Sequence, residues 1–170
     1  MKAVLCKEYG PAEQLVVEEV PSPSVGADGV LITVQAAGIN FPDTLIIENK
    51  YQFKPPLPFI PGTEVAGIVK AVGDKVTHVK PGDQVMGFAF VGGYAEEIVV
   101  PAASCFPMPS AFSYEEAAAF TMIYGTSYYA LKQRGQLQAG ETLLVLGASG
   151  GVGMAAVELG KLMGATVIAA

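Results

Sequence analysis

Seven residues near the carboxyl-terminal end, Gly147-Ala148-Ser149-Gly150-Gly151-Val152-Gly153, carry the clearest chemical signal in the chain. A turn stripped of large side chains lets a ligand reach bare backbone N–H groups. Where such a turn opens a helix, those amides and the helix dipole favour an anion such as a diphosphate. Gly150 and Gly151 are expected to permit the approach, Ser149 to add a hydroxyl donor, and Gly147 and Val152 to complete the binding set. Gly153 is expected to let the helix pack tightly on a sheet. The glycines at 147, 150 and 153 depart from G-x-G-x-x-G because Ala148 holds one glycine's place, so a merely tight strand-to-helix connection is the competing reading. The residue that tells a ribose hydroxyl from a 2′-phosphate is expected about 20 residues after the glycines. The sequence stops there, which leaves NADPH and NADH both open.

The flanking residues supply the context such a turn needs. Thr142-Leu143-Leu144-Val145-Leu146 is a continuous apolar run bounded by turn residues, as expected of a strand buried on both faces. Val152, Ala155, Ala156, Leu159, Leu162 and Met163 recur at helical spacing, Gly164 is a stop, and Thr166 to Ala170 reads as a second strand. Residues 142–170 therefore read as one β-α-β unit. Upstream, Ser113-Tyr114-Glu115-Glu116 is a capping-box pattern. It predicts a helix running through Ala117-Ala118-Ala119 toward Leu131, interrupted at Gly125 and ending near Arg134-Gly135. Up to about Ser104 the pattern changes to short β-branched runs: Val16-Val17, Val30 to Val34, Val65 to Val72, Val85-Met86 and Ile98 to Val100. Their separators carry Pro, Gly and Asp, and such closely spaced strands predict a small curled β domain.

Composition narrows the function classes. The 170 residues are 51% hydrophobic, enough for a buried core, and 16 acidic against 10 basic residues leave a formal charge of −6. That balance argues against a nucleic-acid surface, which needs clustered Lys and Arg. Lys7 follows Lys2 too soon to leave room for the apolar core of a secretion signal, and no uncharged stretch has the roughly 20 residues that span a bilayer. No membrane partner and a cytoplasmic setting are expected. Cys6 and Cys105 are the two cysteines and His78 the one histidine, so both thiols are expected to be buried and the chain lacks a nitrogen and sulfur set for tetrahedral zinc.

Five blocks follow one another in order: Ala37-Gly38-Ile39-Asn40-Phe41-Pro42-Asp43, Pro61-Gly62-Thr63-Glu64-Val65-Ala66-Gly67, Val79-Lys80-Pro81-Gly82-Asp83-Gln84-Val85, Gly92-Gly93-Tyr94-Ala95-Glu96, and Gly147 to Gly153. Together they resemble the medium-chain dehydrogenase/reductase superfamily, and within it the quinone oxidoreductase (zeta-crystallin-like) branch, over nearly the whole chain. The resemblance implies an α/β plus β architecture. A GroES-like β-barrel domain would occupy residues 1–125, followed over residues 126–170 by the first β-α-β unit of a Rossmann (doubly wound parallel) domain. Full members are longer, so the chain is expected to be a fragment, and the complete protein a homodimer.

Zinc-dependent alcohol dehydrogenases of this superfamily place a Cys and a His where this chain has Asn40 and Thr63, and their cysteine-rich structural lobe has no counterpart here. Zinc is therefore not expected. Oxidising an alcohol calls for a Lewis acid at the alkoxide, whereas reducing a quinone or enone delivers hydride to a conjugated acceptor whose charge spreads onto oxygen. The implied activity is zinc-independent hydride transfer from NADPH, or NADH, to a small quinone or α,β-unsaturated carbonyl. An enoyl or enone reductase of the same fold and a non-catalytic NADPH-binding protein are the alternatives.

Residue by residue, the resemblance places Asn40, Asp43 and Thr63 at the reacting centre, with Asn40 also beside the nicotinamide and its amide available to a developing enolate or quinol oxygen. It places Met122 and Thr126 at the cofactor. Each position has a plainer reading: a turn-forming Asn40, an Asp43 that caps a short helix, a Met122 packed in a core, and a Thr126 buried in a helix and bonded to its own backbone. Leu45 stands where many quinone reductases have Tyr, so no proton-donor role is carried there. Tyr51 either substitutes for it or is a rim aromatic, and solvent is left as the proton source. Glu64 is as much structural as chemical, and His78 is assigned nothing.

Overall fold

The structure is a computed structural model and describes residues 1–170. Short β-branched runs build seven strands before the chain turns helical: β1 (Lys2–Leu5), β2 (Val16–Glu19), β3 (Gly29–Gly38), β4 (Glu64–Val72), β5 (Gln84–Phe88), β6 (Glu97–Pro101) and β7 (Cys105–Pro107). β1 and β2 pair antiparallel, from Lys2 opposite Glu19 to Leu5 opposite Val16. The other five form one antiparallel sheet in the order β6-β3-β4-β5-β7. Its two long central strands slip register twice, between Leu31 and Ile32 and between Val34 and Ala36. Such irregularities bend and twist a sheet, and the curled β domain expected from the sequence is what forms. Side chains two apart share a face of a strand. Val30 and Ile32, Val65 and Val69, and Ile98 and Val100 accordingly meet Val85 and Cys105 in one buried cluster. β1 and β7 were not among the runs read from the sequence.

Two short helices complete this unit. α1 (Phe41–Ile47) begins after Asn40, with Pro42 in its first turn, and buries Ile46 and Ile47 against Cys6 and Phe59. α2 (Tyr114–Ala118) opens on the expected capping box. The Ser113 hydroxyl accepts from the Glu116 N–H at 3.2 Å, and the Glu116 carboxylate accepts from the Ser113 N–H at 2.8 Å. Ala117 and Ala118 are buried where α2 packs on β3 and β4.

The predicted long helix is three pieces. α2 ends at Ala118 with Ala119 as its cap, α3 (Thr121–Tyr128) restarts after Phe120, and a π-helical turn carries Tyr129–Arg134 to Gly135. The interruption falls at Ala119 and Phe120, not at Gly125. Gly125 sits inside α3, and its carbonyl accepts from the Tyr129 N–H, so the hydrogen-bond ladder runs through it. Contacts divide the chain into compact units Met1–Ala119 and Phe120–Ala170. Residues 120–125 fall in the second of these units, where α3 lies against the helix that follows the glycine turn.

That second unit contains β8 (Thr142–Val145), α4 (Gly151–Leu162) and β9 (Thr166–Ala169), with β8 and β9 parallel from Thr142 opposite Thr166 to Val145 opposite Ala169. It is the expected β-α-β element, and Gly164, at φ +84°, ends its helix as read. The strand expected to be buried on both faces is not. Leu144 is 56% and Ile168 51% exposed, because a pair of strands packed on α4 leaves its other face uncovered. No helix is long and apolar enough to cross a membrane.

Candidate functional site

The first unit gathers Asn40, Asp43 and Thr63 into one hydrogen-bonded cluster. Asn40 precedes α1 in an extended conformation, at φ −117° and ψ 151°. Its backbone N–H donates to Asp43 Oδ2 at 2.8 Å. Its side-chain Nδ2 donates to Glu64 Oε1 at 2.8 Å and, more weakly, to Thr63 Oγ1 at 3.4 Å. Thr63 and Glu64 arrive at the mouth of β4 from Pro61-Gly62. Asp43, Thr63 and Glu64 are each no more than 3% exposed. Asp43 does serve α1, but from its third position by reaching back to Asn40, not from the cap itself. The Tyr94 hydroxyl donates to the same Asp43 Oδ2 at 2.8 Å, while Asp43 Oδ1 is buried without a partner.

Burial raises the Tyr94 pKa, and the hydrogen bond and charge of Asp43 and the charge of Glu64 push it further, far above the ordinary phenol range. The phenol therefore stays protonated and acts as a donor. Tyr94 is a member of this cluster to which sequence reading attached no chemistry, and Glu64 one that it left between a structural and a chemical role. The signal available was that both lie inside blocks already singled out, one of them directly after Thr63. Leu45 and Tyr51 are half-buried. His78 packs its Nε2 3.0 Å from the Cys105 carbonyl, a structural contact.

The second unit holds the glycine turn. The Gly147 and Ala148 N–H groups both donate to the Ala170 carbonyl, at 2.8 and 3.1 Å, tying the turn to the end of β9. The Gly150 N–H closes on the Gly147 carbonyl at 3.1 Å. Gly151, Val152 and Gly153 then open α4, where first-turn amides have no carbonyl four residues back in the helix. Gly147, Gly150, Gly151 and Val152 are exposed, and Ser149 is exposed in the same turn.

The glycines divide their work differently from the sequence reading. At Gly150 an added Cβ would find its nearest atom, Gly147 O, at an ordinary contact distance of 3.6 Å, so nothing in the chain requires the side chain to be missing here. At Gly151 the Cβ would come within 3.2 Å of Ile123 Cγ2, so the missing side chain serves packing on α3. At Gly153 it would lie 2.2 Å from Gly147 O, so this glycine closes the turn itself. Close packing of helix on sheet belongs instead to Gly160, whose Cβ would meet Leu143 Cδ2 at 2.7 Å and Val167 Cγ2 at 3.1 Å. A glycine inside an apolar helical run was the readable sign.

α3 supports the turn from behind. The buried Ser127 hydroxyl donates to the Val152 carbonyl at 2.7 Å, and the Tyr124 hydroxyl donates to Glu158 at 2.6 Å. Thr126 lies on the exposed side of α3, its Oγ1 3.9 Å from the Met122 sulfur. It is not the buried helix threonine of the plainer reading.

An open cradle at a helix start fits a dinucleotide's diphosphate. Around Asn40 a carboxamide and a hydroxyl stand in place of the thiolate and imidazole that zinc most often takes.

The alcohol dehydrogenase GroES-like domain family matches residues 26–110. The quinone oxidoreductase-like protein 2 homolog of Nematostella vectensis is 45% identical over 172 residues, covering 99% of this chain and 47% of that protein. The quinone oxidoreductase from Thermus thermophilus, whose crystal structures include its complex with NADPH, superposes with a TM-score of 0.87 at 36% identity, over 99% of this chain and 52% of that one. The CurK enoyl reductase superposes at 0.91 and 29% identity, over 99% and 53%. The chain thus spans about half the length of the relatives it matches. By its matched β domain the chain belongs to the alcohol dehydrogenase GroES-like domain family, and over nearly its whole length it is similar to the corresponding part of proteins named quinone oxidoreductases.

Proposed function

We propose that this chain is the part of a zinc-independent, NADPH-dependent oxidoreductase that seats the cofactor's diphosphate and polarises a quinone or α,β-unsaturated carbonyl acceptor. The observation that carries the reading is the open backbone at Gly150, at the start of a helix whose first amides have no helical partner. The amides at the start of α4, from Gly151 to Gly153, would take the diphosphate while those of Gly147, Ala148 and Gly150 hold the turn in shape, with the Ser149 hydroxyl beside them, Val152 against the ligand, and the half-buried Met122 and exposed Thr126 offered by α3. When bound, the nicotinamide supplies the hydride.

In the first unit, negative charge that develops on the acceptor oxygen calls for a prepared donor. Asn40 has two amide hydrogens, one held tightly by Glu64 and one loosely by Thr63. The loosely held hydrogen is the one that can be turned to an acceptor oxygen at small cost. Asp43 fixes the Asn40 backbone, and Glu64 fixes its side chain. The choice of NADPH over NADH is supported by the Thermus thermophilus complex.

Loss of NADPH absorbance that requires added 1,4-naphthoquinone, unchanged by a zinc chelator, is the expected result. Tight NADPH binding with no turnover on any conjugated acceptor would sink the enzymatic reading and leave a nucleotide-binding protein. The likeness to an enoyl reductase supports a second acceptor class on the same site. A higher kcat/KM on an enoyl thioester than on the quinone would select it.

A further inference from the structure

We propose that Tyr94 is a positioning residue for Asn40, acting through Asp43, and that it keeps the segments bearing Asn40 and Thr63 in one arrangement. The inference rests on the reading above that Asn40 meets the acceptor. Asp43 Oδ2 receives two hydrogen bonds of equal length, 2.8 Å from the Tyr94 hydroxyl and 2.8 Å from the Asn40 N–H. Its other oxygen has no partner. The direction of this carboxylate is therefore set by two donors on one atom, one of which is the group to be held.

Tyr94 is well placed to be the fixed end. Its backbone N–H donates to the Pro61 carbonyl at 2.9 Å, and its carbonyl accepts from the Val4 N–H at 2.8 Å. Its ring lies over Gly62 so closely that a Cβ there would come within 2.5 Å of Tyr94 Cδ1. The residue thus touches the Pro61-Gly62 approach to Thr63 with its backbone and ring, and the first turn of α1 with its hydroxyl. Held protonated by burial and by Asp43, the phenol is a strut and not a proton source.

The test uses the whole chain, labelled with ¹⁵N. Tyr94→Phe leaves the ring over Gly62 and removes the hydroxyl's bond to Asp43 together with a longer one, 3.4 Å, to the Gly38 carbonyl. The Asn40 N–H then loses about tenfold in hydrogen-exchange protection, as loss of support by a charge-assisted bond implies, and the Asn40 carboxamide resonances shift. Tyr9→Phe is the control for loosening of the fold. It removes a hydroxyl bond of the same length, to the Pro55 carbonyl at 2.8 Å, and leaves the Asn40 signals where they were. Asp43→Asn displaces Asn40 in the same way, and adding Tyr94→Phe to it changes nothing further.

Asn40 signals untouched by Tyr94→Phe, moved equally by Tyr9→Phe, or moved additively by the pair would each overturn the proposal. In NADPH-dependent naphthoquinone reduction, kcat falls about tenfold for Tyr94→Phe with KM for NADPH unchanged, and an unchanged kcat also counts against it. If the parent reduces no acceptor, the functional reading fails by that measurement, while the coupling of Tyr94 to Asn40 is still decided by the resonances.

Discussion

A single methyl group would have opposite consequences at two glycines three residues apart. Gly150 has φ −81° and ψ 161°, which any residue adopts, and its Cβ would make only an ordinary contact, 3.6 Å from Gly147 O. Gly150→Ala is expected to leave stability within about 1 kcal/mol of the parent, yet to weaken NADPH binding roughly tenfold, because the methyl fills the space a phosphate needs to reach the amides. Gly153 already lies against the Gly147 carbonyl, which an added Cβ would approach to 2.2 Å. Gly153→Ala is expected to cost about 2–3 kcal/mol through overpacking and to lose binding only as the turn is lost. Thermal unfolding and a nucleotide titration on the two variants check this. Equal stability loss in both, or undiminished affinity in Gly150→Ala, would show that the turn is no more than a tight connection.

At the scale of elements, what could be read from sequence depended on whether the deciding interaction was local. The β-branched runs of β3, β4 and β6, the Ser113/Glu116 box and the Gly164 stop are short-range signals, and each appears where its residues placed it. β7 escaped notice because it is three residues long with one buried side chain, Cys105, and exists by pairing Gly87 with Cys105 and Val85 with Pro107. The break at Ala119 and Phe120 escaped because both residue types suit a helix, and the two sides of the break pack in different units. The candidate site divides in the same way. Asn40, Asp43, Thr63 and Glu64 stood in blocks the sequence singled out, but Tyr94 joins Asp43 across 51 residues, and only the folded sheet brings them together.

Cys105 shows what such a non-local element implies for stability. Burial between β7 and the core raises its thiol from the ordinary 9.0 to about 11. Between those values the unfolded chain releases a proton that the folded chain keeps. The contribution is therefore complete below pH about 9 and is lost as pH rises through about 11. Urea midpoints of the parent should fall relative to those of Cys105→Ala across that window, with the two running parallel below it. Parallel curves throughout would mean that the thiol reaches solvent.

On the scale of the whole molecule, the two units are unequally built. The first closes a five-stranded sheet over a cluster of Val, Ile and Cys side chains, nearly all of them fully buried. The second has a two-stranded parallel pair, buries Val145 and Ala155, and leaves Leu146 77% and Leu162 83% exposed, along with Leu144 and Ile168. Burial of apolar area is what offsets the entropy of ordering a chain, at about 25 cal/mol per Å², and a pair of strands is marginal without more sheet or helix over it. The two units should therefore open at different cost. Under native conditions the amides of β8 and β9 are expected to exchange with deuterium well before those of β3 and β4. Urea should produce two steps, the first removing protection from residues 142–169 alone. NADPH that binds the glycine turn would raise that first step and leave the second unmoved, because it stabilises only the fold that holds it. A single cooperative loss of protection across all the strands would show that the exposed apolar face costs less than its area implies.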